Sequence, residues 1–379
     1  MKRNNIQLFL KYIDLQSGWK YIIPCMDVLK LIRIADKRGA SDLQLVVGSP
    51  PLLRIYGVLE PIERSKPLDD SGITDALSQI TTPEEREIFR EQMELDFGYT
   101  LPGFIRLRCN VAQQLNGVSL AIRLLPPLIP TIDELDLPQI YKNLVKEPRG
   151  LILVSGPTDS GKTTTMAAMV HHLNTIGGKH IVTIEDPIEY VHERINCAIT
   201  QRQLGKHTRS FAQALRHVLR QNPDVILVGE MRDLETASAV LSIAETGHLV
   251  LSTSHAPSSP QAIERVVDMF PPNERYLAQT RLASLLIAVI CQTLVPRIDD
   301  SGRIAAVEIM VANSSVRNLI REGKIYQLPS AMQTHHEVGM ISLDESLVEL
   351  YNKQIISYQT VKNFCNDREE VSKLISSSK

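Results

Sequence analysis

The sequence predicts an α/β protein in which a smaller α+β domain precedes a larger one, and three observations carry that expectation. From Leu151 onward, short apolar runs alternate with helical patterns. Leu151–Ser155, Ile181–Ile184, Val225–Val228 and Leu249–Thr253 read as strands, and Lys162–Thr175, Ser210–Gln221 and Asp233–Glu245 as the helices between them. Runs that are apolar throughout, rather than alternating, belong to strands covered on both faces of a parallel sheet. A glycine-rich turn joins the first of these strands to the first helix. Ahead of them lie a helix–strand pair and a hairpin, set apart by a stiff proline-rich segment.

Residues 1–25 do not resemble the start of a domain and read as an atypical extension, with translation from Met26 as an expectation. Lys2 and Arg3 precede an apolar stretch that Lys11, Asp14 and Lys20 soon break, so it does not read as a secretory signal. From Asp27 the apolar spacing is helical behind an aspartate cap, Gly39 is a stop signal, and Asp42–Val47 reads as a strand. Phe104–Leu115 and Val118–Leu125 flank Asn116-Gly117, the preferred pair for a type I′ turn. That turn sets Leu115 opposite Val118 and Arg123 opposite Asn110. Strand alternation then puts Arg106, Arg108 and Arg123 on one face, either a solvated face or one that meets an anion. Pro126–Pro130 is helix-breaking and places a linker at 126–133, between a domain at 26–125 and a second at 134–379 that ends in a helical region.

The chain has 379 residues, 43% apolar and 22% charged, which suits two or three globular domains and excludes a disordered or collagen-like chain. Its 41 Lys+Arg against 43 Asp+Glu leave no global basic field, so no nucleic-acid partner is expected. The five cysteines (Cys25, Cys109, Cys197, Cys291 and Cys365) form no C-x-x-C pair, which excludes a zinc ribbon and suits a reducing compartment. The longest apolar stretch, Leu282–Ile290, is about half of what a membrane span needs. The protein is expected in the cytoplasm, with room to sit against a membrane.

Gly156-Pro157-Thr158-Asp159-Ser160-Gly161-Lys162-Thr163 fits G-x-x-x-x-G-K-[ST] with a strand before it and a helix after it. Phosphate oxygens need several donors at short range, and a tight loop at a helix N-terminus aims backbone N–H groups and the positive dipole end at them. Lys162 is placed to reach the β and γ phosphates and the Thr163 hydroxyl to ligate Mg²⁺. Asp159 stands where glycine is common. It tolerates left-handed backbone, but its charge is unfavourable beside a triphosphate unless it points away. Glu230 follows the strand Val225–Val228 and is placed to hold the metal's water shell or polarise an attacking water. Glu185, before Asp186-Pro187, is a second candidate base. His248 and His255 bracket the strand Leu249–Ser254, and the one nearer the phosphate loop is a candidate sensor of the γ phosphate.

Together, Gly156–Thr164, Ile184-Glu185-Asp186-Pro187, Val228–Asp233 and Glu245-Thr246-Gly247-His248 resemble the Walker A, Asp box, Walker B and His box of the type II/IV secretion ATPase superfamily. Ser315–Glu322 is similar to the AIRNLIRE motif of its pilus retraction branch, with Ser315 and Val316 departing from the first two letters. The resemblance spans residues 26 to 350. It implies a PAS-like N-terminal domain, a RecA-like ATPase domain, ATP with Mg²⁺, and a homo-hexameric ring. It also implies two N-domain arginines that reach the nucleotide, matching Arg108 and Arg123, with Arg265 a weaker candidate. The expected function is a motor: ATP binds between the domains, and hydrolysis drives pilus retraction and twitching motility. Its partners would be a platform protein (PilC-like) in the inner membrane and, indirectly, pilin, with the motor peripheral at the inner face of that membrane. The alternatives are an assembly or type II secretion motor, a PilU-like accessory ATPase, a DNA-handling RecA-like ATPase and a non-hydrolysing nucleotide-binding regulator.

Overall fold

The computed structural model describes residues 26–55, 57–102, 105–125, 128–299, 301–334 and 339–377. The extension at 1–25, Phe104 at the start of the expected hairpin, and Pro126-Pro127 of the expected linker lie outside the described residues. The chain divides into two compact units. One runs to Leu95 and takes in Asn110–Ala121, and the other comprises Asp96–Cys109 and everything from Ile122.

The chain opens with α1 (Val28–Lys37), β1 (Asp42–Val46), β2 (Leu52–Ile55), β3 (Val58–Pro61), α2 (Asp70–Ile80) and α3 (Pro83–Gln92). The expected cap is present: the Asp27 carboxylate accepts from the Lys30 amide at 3.0 Å. Val28, Ile32 and Ala35 of α1 are buried, as are Leu43 and Leu45 of β1 and Ile73, Ala76 and Leu77 of α2. With β4 (Glu94–Leu101), β5 (Ile105–Gln114) and β6 (Gly117–Leu125), the strands form a six-stranded sheet ordered β3-β2-β1-β6-β5-β4.

The hairpin forms, but not around the expected turn. Its connection is Leu115-Asn116, Gly117 is already the first residue of β6, and Asn116 is not among the residues with positive φ. A type I′ turn needs positive φ at both central residues, so this is another turn. Along β5, Arg106 and Arg108 alternate with buried Ile105, Leu107 and Cys109, and along β6 Arg123 follows buried Ile122, so all three arginines lie on the side away from those residues, as alternation predicts.

The second unit continues with α4 (Ile140–Leu144), β7 (Gly150–Ser155), α5 (Lys162–Ile176), β8 (His180–Glu185), β9 (Ala198–Gln203), α6 (Phe211–Val218), β10 (Val225–Val228), α7 (Leu234–Glu245) and β11 (Leu249–Thr253). It ends with α8 (Ser259–Asp268), α9 (Arg275–Leu285), β12 (Leu286–Pro296), β13 (Arg303–Val311), α10 (Ser314–Arg321), α11 (Leu328–Gln333), α12 (Leu343–Asn352), α13 (Tyr358–Phe364) and α14 (Arg368–Ser377). The seven strands are ordered β13-β12-β7-β11-β10-β8-β9, parallel throughout except where β13 runs antiparallel to β12.

Both faces of this sheet are covered, as the unbroken apolar runs require. On one face Leu151, Leu153, Ile226, Val228 and Val250 join residues of α6 to α11 in one core. On the other, Ile152, Val154, Val225, Leu227 and Leu251 pack with residues of α4 and α5. Alternate residues of each strand thus enter different cores, so polar residues on β7, β10 and β11 are confined to the carboxyl ends, at Ser155, Ser252 and Thr253.

Candidate active site

The central strands end together. Thr253 pairs with Val154, Ser252 with Val228, and Val228 with Ile184. The residues that follow them, Gly156, His255, Glu230 and Asp186, therefore leave from one carboxyl edge, where open α/β sheets bind ligands.

The loop after β7 is shaped by two glycines. Gly156 has φ 139° and Gly161 φ 85°, and at both a Cβ would collide with Gln292 of β12. Gly161 starts α5 without any side-chain cap, so the first-turn amides have no side chain of their own to satisfy them. Pro157, Thr158 and Asp159 form the exposed crest of the loop, while Ser160 and Lys162 are buried. Asp159 takes up the left-handed conformation, φ 61°, and its carboxylate lies 3.4 Å from the Arg123 guanidinium. The Lys162 ammonium folds back to donate to the carbonyls of Gly156 at 2.8 Å and Pro157 at 2.7 Å. Burial lowers its pKa, opposed by the carboxylates of Asp159, Glu230 and Glu189. Thr163 sits half-buried in the first turn of α5, and the Thr164 hydroxyl pairs with that of Tyr190 at 3.0 Å.

Glu230 is nearly buried and held from two sides, by Arg232 Nε at 2.6 Å and His255 Nε2 at 3.6 Å. Burial and the charge of Lys162 lower the His255 pKa, and the Glu230 carboxylate opposes the shift. Asp186 faces the same cluster. Its pKa is raised by burial and then by the charge of Glu230.

Glu185 is turned elsewhere. Its carboxylate accepts from the Thr183 hydroxyl and from Gln201 Nε2, and burial raises its pKa. Its carboxylate and that of Glu230 thus have separate partners. The cause is the pleat: Glu185 and Asp186 are successive residues and point to opposite sides of the chain. His248 lies at the other end of β11, with its carbonyl on the Gly150 amide at 3.0 Å and its ring 3.0 Å from the Thr246 hydroxyl. It is remote from the phosphate loop of its own chain, which leaves His255 as the histidine at the edge. Arg265 is exposed on α8 and acts electrostatically on His255.

The three arginines of the hairpin face have separate anchors within the second unit. Arg106 is half-buried and donates through Nε to the Ile188 carbonyl at 2.9 Å and through Nη1 to Thr100 Oγ1 at 3.0 Å. Arg108 pairs with Glu189 at 3.0 Å, and Arg123 with Asp159. Anionic partners on this face are therefore present in the chain itself. Sequence reasoning missed Glu189 and Arg232 as parts of the site. Arg232 was within reach, because the step from Glu230 past a strand end brings a residue two positions on back to the same side.

A family model described as "Type II/IV secretion system protein" matches residues 103–376. The chain is 44% identical over 337 residues to the "Type IV pilus retractation ATPase PilT" of Pseudomonas aeruginosa, covering 89% of this chain and 97% of that protein. It is 38% identical over 356 residues to a "Twitching motility protein" of Neisseria gonorrhoeae, covering 93% and 95%. Among solved structures, that of the "Pilus Retraction Motor PilT and Bound ADP" superimposes with a TM-score of 0.83 at 39% identity, over 91% of this chain and 99% of that one.

Proposed function

The chain belongs to the type II/IV secretion system protein family, and from that premise we propose that it is an ATPase whose hydrolysis of ATP drives retraction of a type IV pilus. The observation that carries this is the single sheet edge where the Lys162 loop, Glu230 and His255 converge, in a chain 44% identical to a retraction ATPase along nearly its whole length. ATP is the substrate. The uncapped amides at Gly161, Lys162 and Thr163 and the positive end of α5 suit its phosphates. The Lys162 ammonium, now satisfied by two loop carbonyls, exchanges them for phosphate oxygens. Glu230 polarises the attacking water, and Arg232 and His255 flank its carboxylate.

The Thr163 hydroxyl and, through water, Glu230 are the oxygen donors that would hold Mg²⁺, which when bound offsets charge developing on the phosphates. Arg108 and Arg123 are drawn from Glu189 and Asp159 to the transferred phosphoryl group, where a guanidinium stabilises developing charge. When Arg123 moves to the phosphates it leaves Asp159, whose exposed carboxylate on the crest of the loop can turn to solvent. The working form is a homo-hexamer acting on a PilC-like platform protein and, through it, on pilin. Among the described residues no helix is long and apolar enough to cross a membrane, and the motor works from the cytoplasmic side as a peripheral component.

Two variants test the assignment. Lys162→Ala abolishes turnover and ADP affinity, while Glu230→Gln still binds nucleotide but hydrolyses roughly 100-fold more slowly or worse. Steady-state ATPase and calorimetric titration read both, and normal turnover in Lys162→Ala would sink the proposal. In cells, deletion of the gene leaves surface filaments that extend without retracting.

A further inference from the structure

We propose that Gln292 is a positioning residue for the nucleotide loop: its side-chain amide clamps the loop to the neighbouring strand and thereby aims the Gly161 amide at the phosphates. The inference rests on the reading of the loop as the ATP site. β12 runs parallel beside β7 with Cys291 paired to Ser155, so the next residue, Gln292, lies where the loop departs. Its side chain is buried, with 3% of its surface exposed. Both ends of the amide are used. Nε2 donates to the Ser160 carbonyl at 2.7 Å, and Oε1 accepts from the Thr165 hydroxyl at 2.9 Å. One side chain thus ties the last part of the loop to the first turns of α5 and both to the sheet.

The consequence follows from peptide geometry. Across a planar trans peptide the C=O and the following N–H point in opposite directions. Ser160 C=O is held toward β12, so the Gly161 N–H points away from β12. The fit is close enough to dictate both glycines. A Cβ on Gly156 would overlap the backbone carbonyl oxygen of Gln292, and only at Gly161 is the side chain itself the obstacle, with Nε2 2.7 Å from where a Cβ would stand. No charged residue could replace Gln292 without loss. A carboxylate has no donor for Ser160, and an ammonium has no acceptor for Thr165.

The test compares wild type with Gln292→Glu, Gln292→Leu and Thr165→Val in the full-length chain. It measures kcat and KM for ATP, calorimetric affinity for ADP, and the nucleotide-free melting temperature. Gln292→Glu turns the donor into a repelling oxygen, and Thr165→Val removes only the hydroxyl, so these two remain informative if Gln292→Leu fails to fold. The expected result is a KM and an ADP dissociation constant about tenfold higher, with kcat within about twofold of wild type. A merely structural role instead reduces the active fraction, which lowers kcat and the melting temperature at unchanged KM, and that pattern overturns the inference. So does ADP affinity equal to wild type in folded Gln292→Glu and Thr165→Val. A wild-type chain that binds no ADP overturns the ATP-site reading itself and this inference with it.

Discussion

His192 shows what burial does to one side chain. Its backbone amide is held by Gln201 Oε1 at 2.9 Å, but its Nδ1 is buried without a hydrogen-bond partner among the described residues. Burial, reinforced by nearby His171, pushes the imidazole down to about 4. In the unfolded chain the same group titrates near 6.5. Between those two values the unfolded chain takes up a proton that the folded one refuses, so stability falls as pH drops from about 6.5 to about 4 and this loss then levels off. The full difference amounts to at most about 3 kcal/mol, reduced by the partial exposure of the ring. His192→Leu removes that contribution. Urea midpoints measured from pH 7 to pH 4.5 fall less steeply in the variant, and parallel slopes would refute the assignment. At the same scale, the paired states of Arg108 and Arg123 were beyond reach of the sequence. Alternation places them on one face, but Glu189 and Asp159 come from segments more than thirty residues away.

At the scale of elements, α7 joins stability to the site. Its N-cap, Asp233, accepts from the Thr236 amide at 2.8 Å and follows directly on Glu230-Met231-Arg232. Asp233→Ala destabilises the chain by about 1 kcal/mol, whereas Asp233→Asn retains most of the cap, and denaturant melts of the two variants distinguish this from a charge effect. The strands β7, β8, β10 and β11 were legible because burial on both faces writes an unbroken apolar run. β9 was not, because it is an edge strand, paired on one side only and mostly polar, as Ala198-Ile199-Thr200-Gln201-Arg202-Gln203 shows. β12 escaped for the opposite reason. Leu282–Ile290 is a single apolar stretch, and the change from α9 to β12 at Leu286 carries no glycine or proline to mark it. Pairing with β7, not local preference, decides which half is strand. The hairpin connection is Leu115-Asn116 rather than Asn116-Gly117, one residue from where the local Asn-Gly preference sets it.

At the scale of the whole molecule, retraction requires that single hydrolysis events be combined in one assembly. The proposed homo-hexamer predicts that Glu230→Gln, which holds ATP without turning it over, sediments at six times the protomer mass in the presence of ATP. A protomer mass at every concentration with ATP bound would exclude the ring. The residues proposed for the chemistry, Lys162, Thr163, Glu230 and His255, stood out in the chain because each occupies a fixed step past a strand or a glycine turn, and such steps are local. Whether a candidate takes part is not local. His248 and His255 have equal standing in the sequence, and only the direction of β11 in a parallel sheet puts one at the phosphate edge and the other at the far end. Glu185 and Glu230 both stand at the ends of apolar strands and are about equally buried, yet the first is held by Thr183 and Gln201 and the second by Arg232 and His255, partners that only the packed fold supplies. Gln292 carries no local signal at all: its place beside the loop exists only because a strand more than a hundred residues downstream inserts next to β7, and long-range pairing of that kind is set by the packing of the whole sheet.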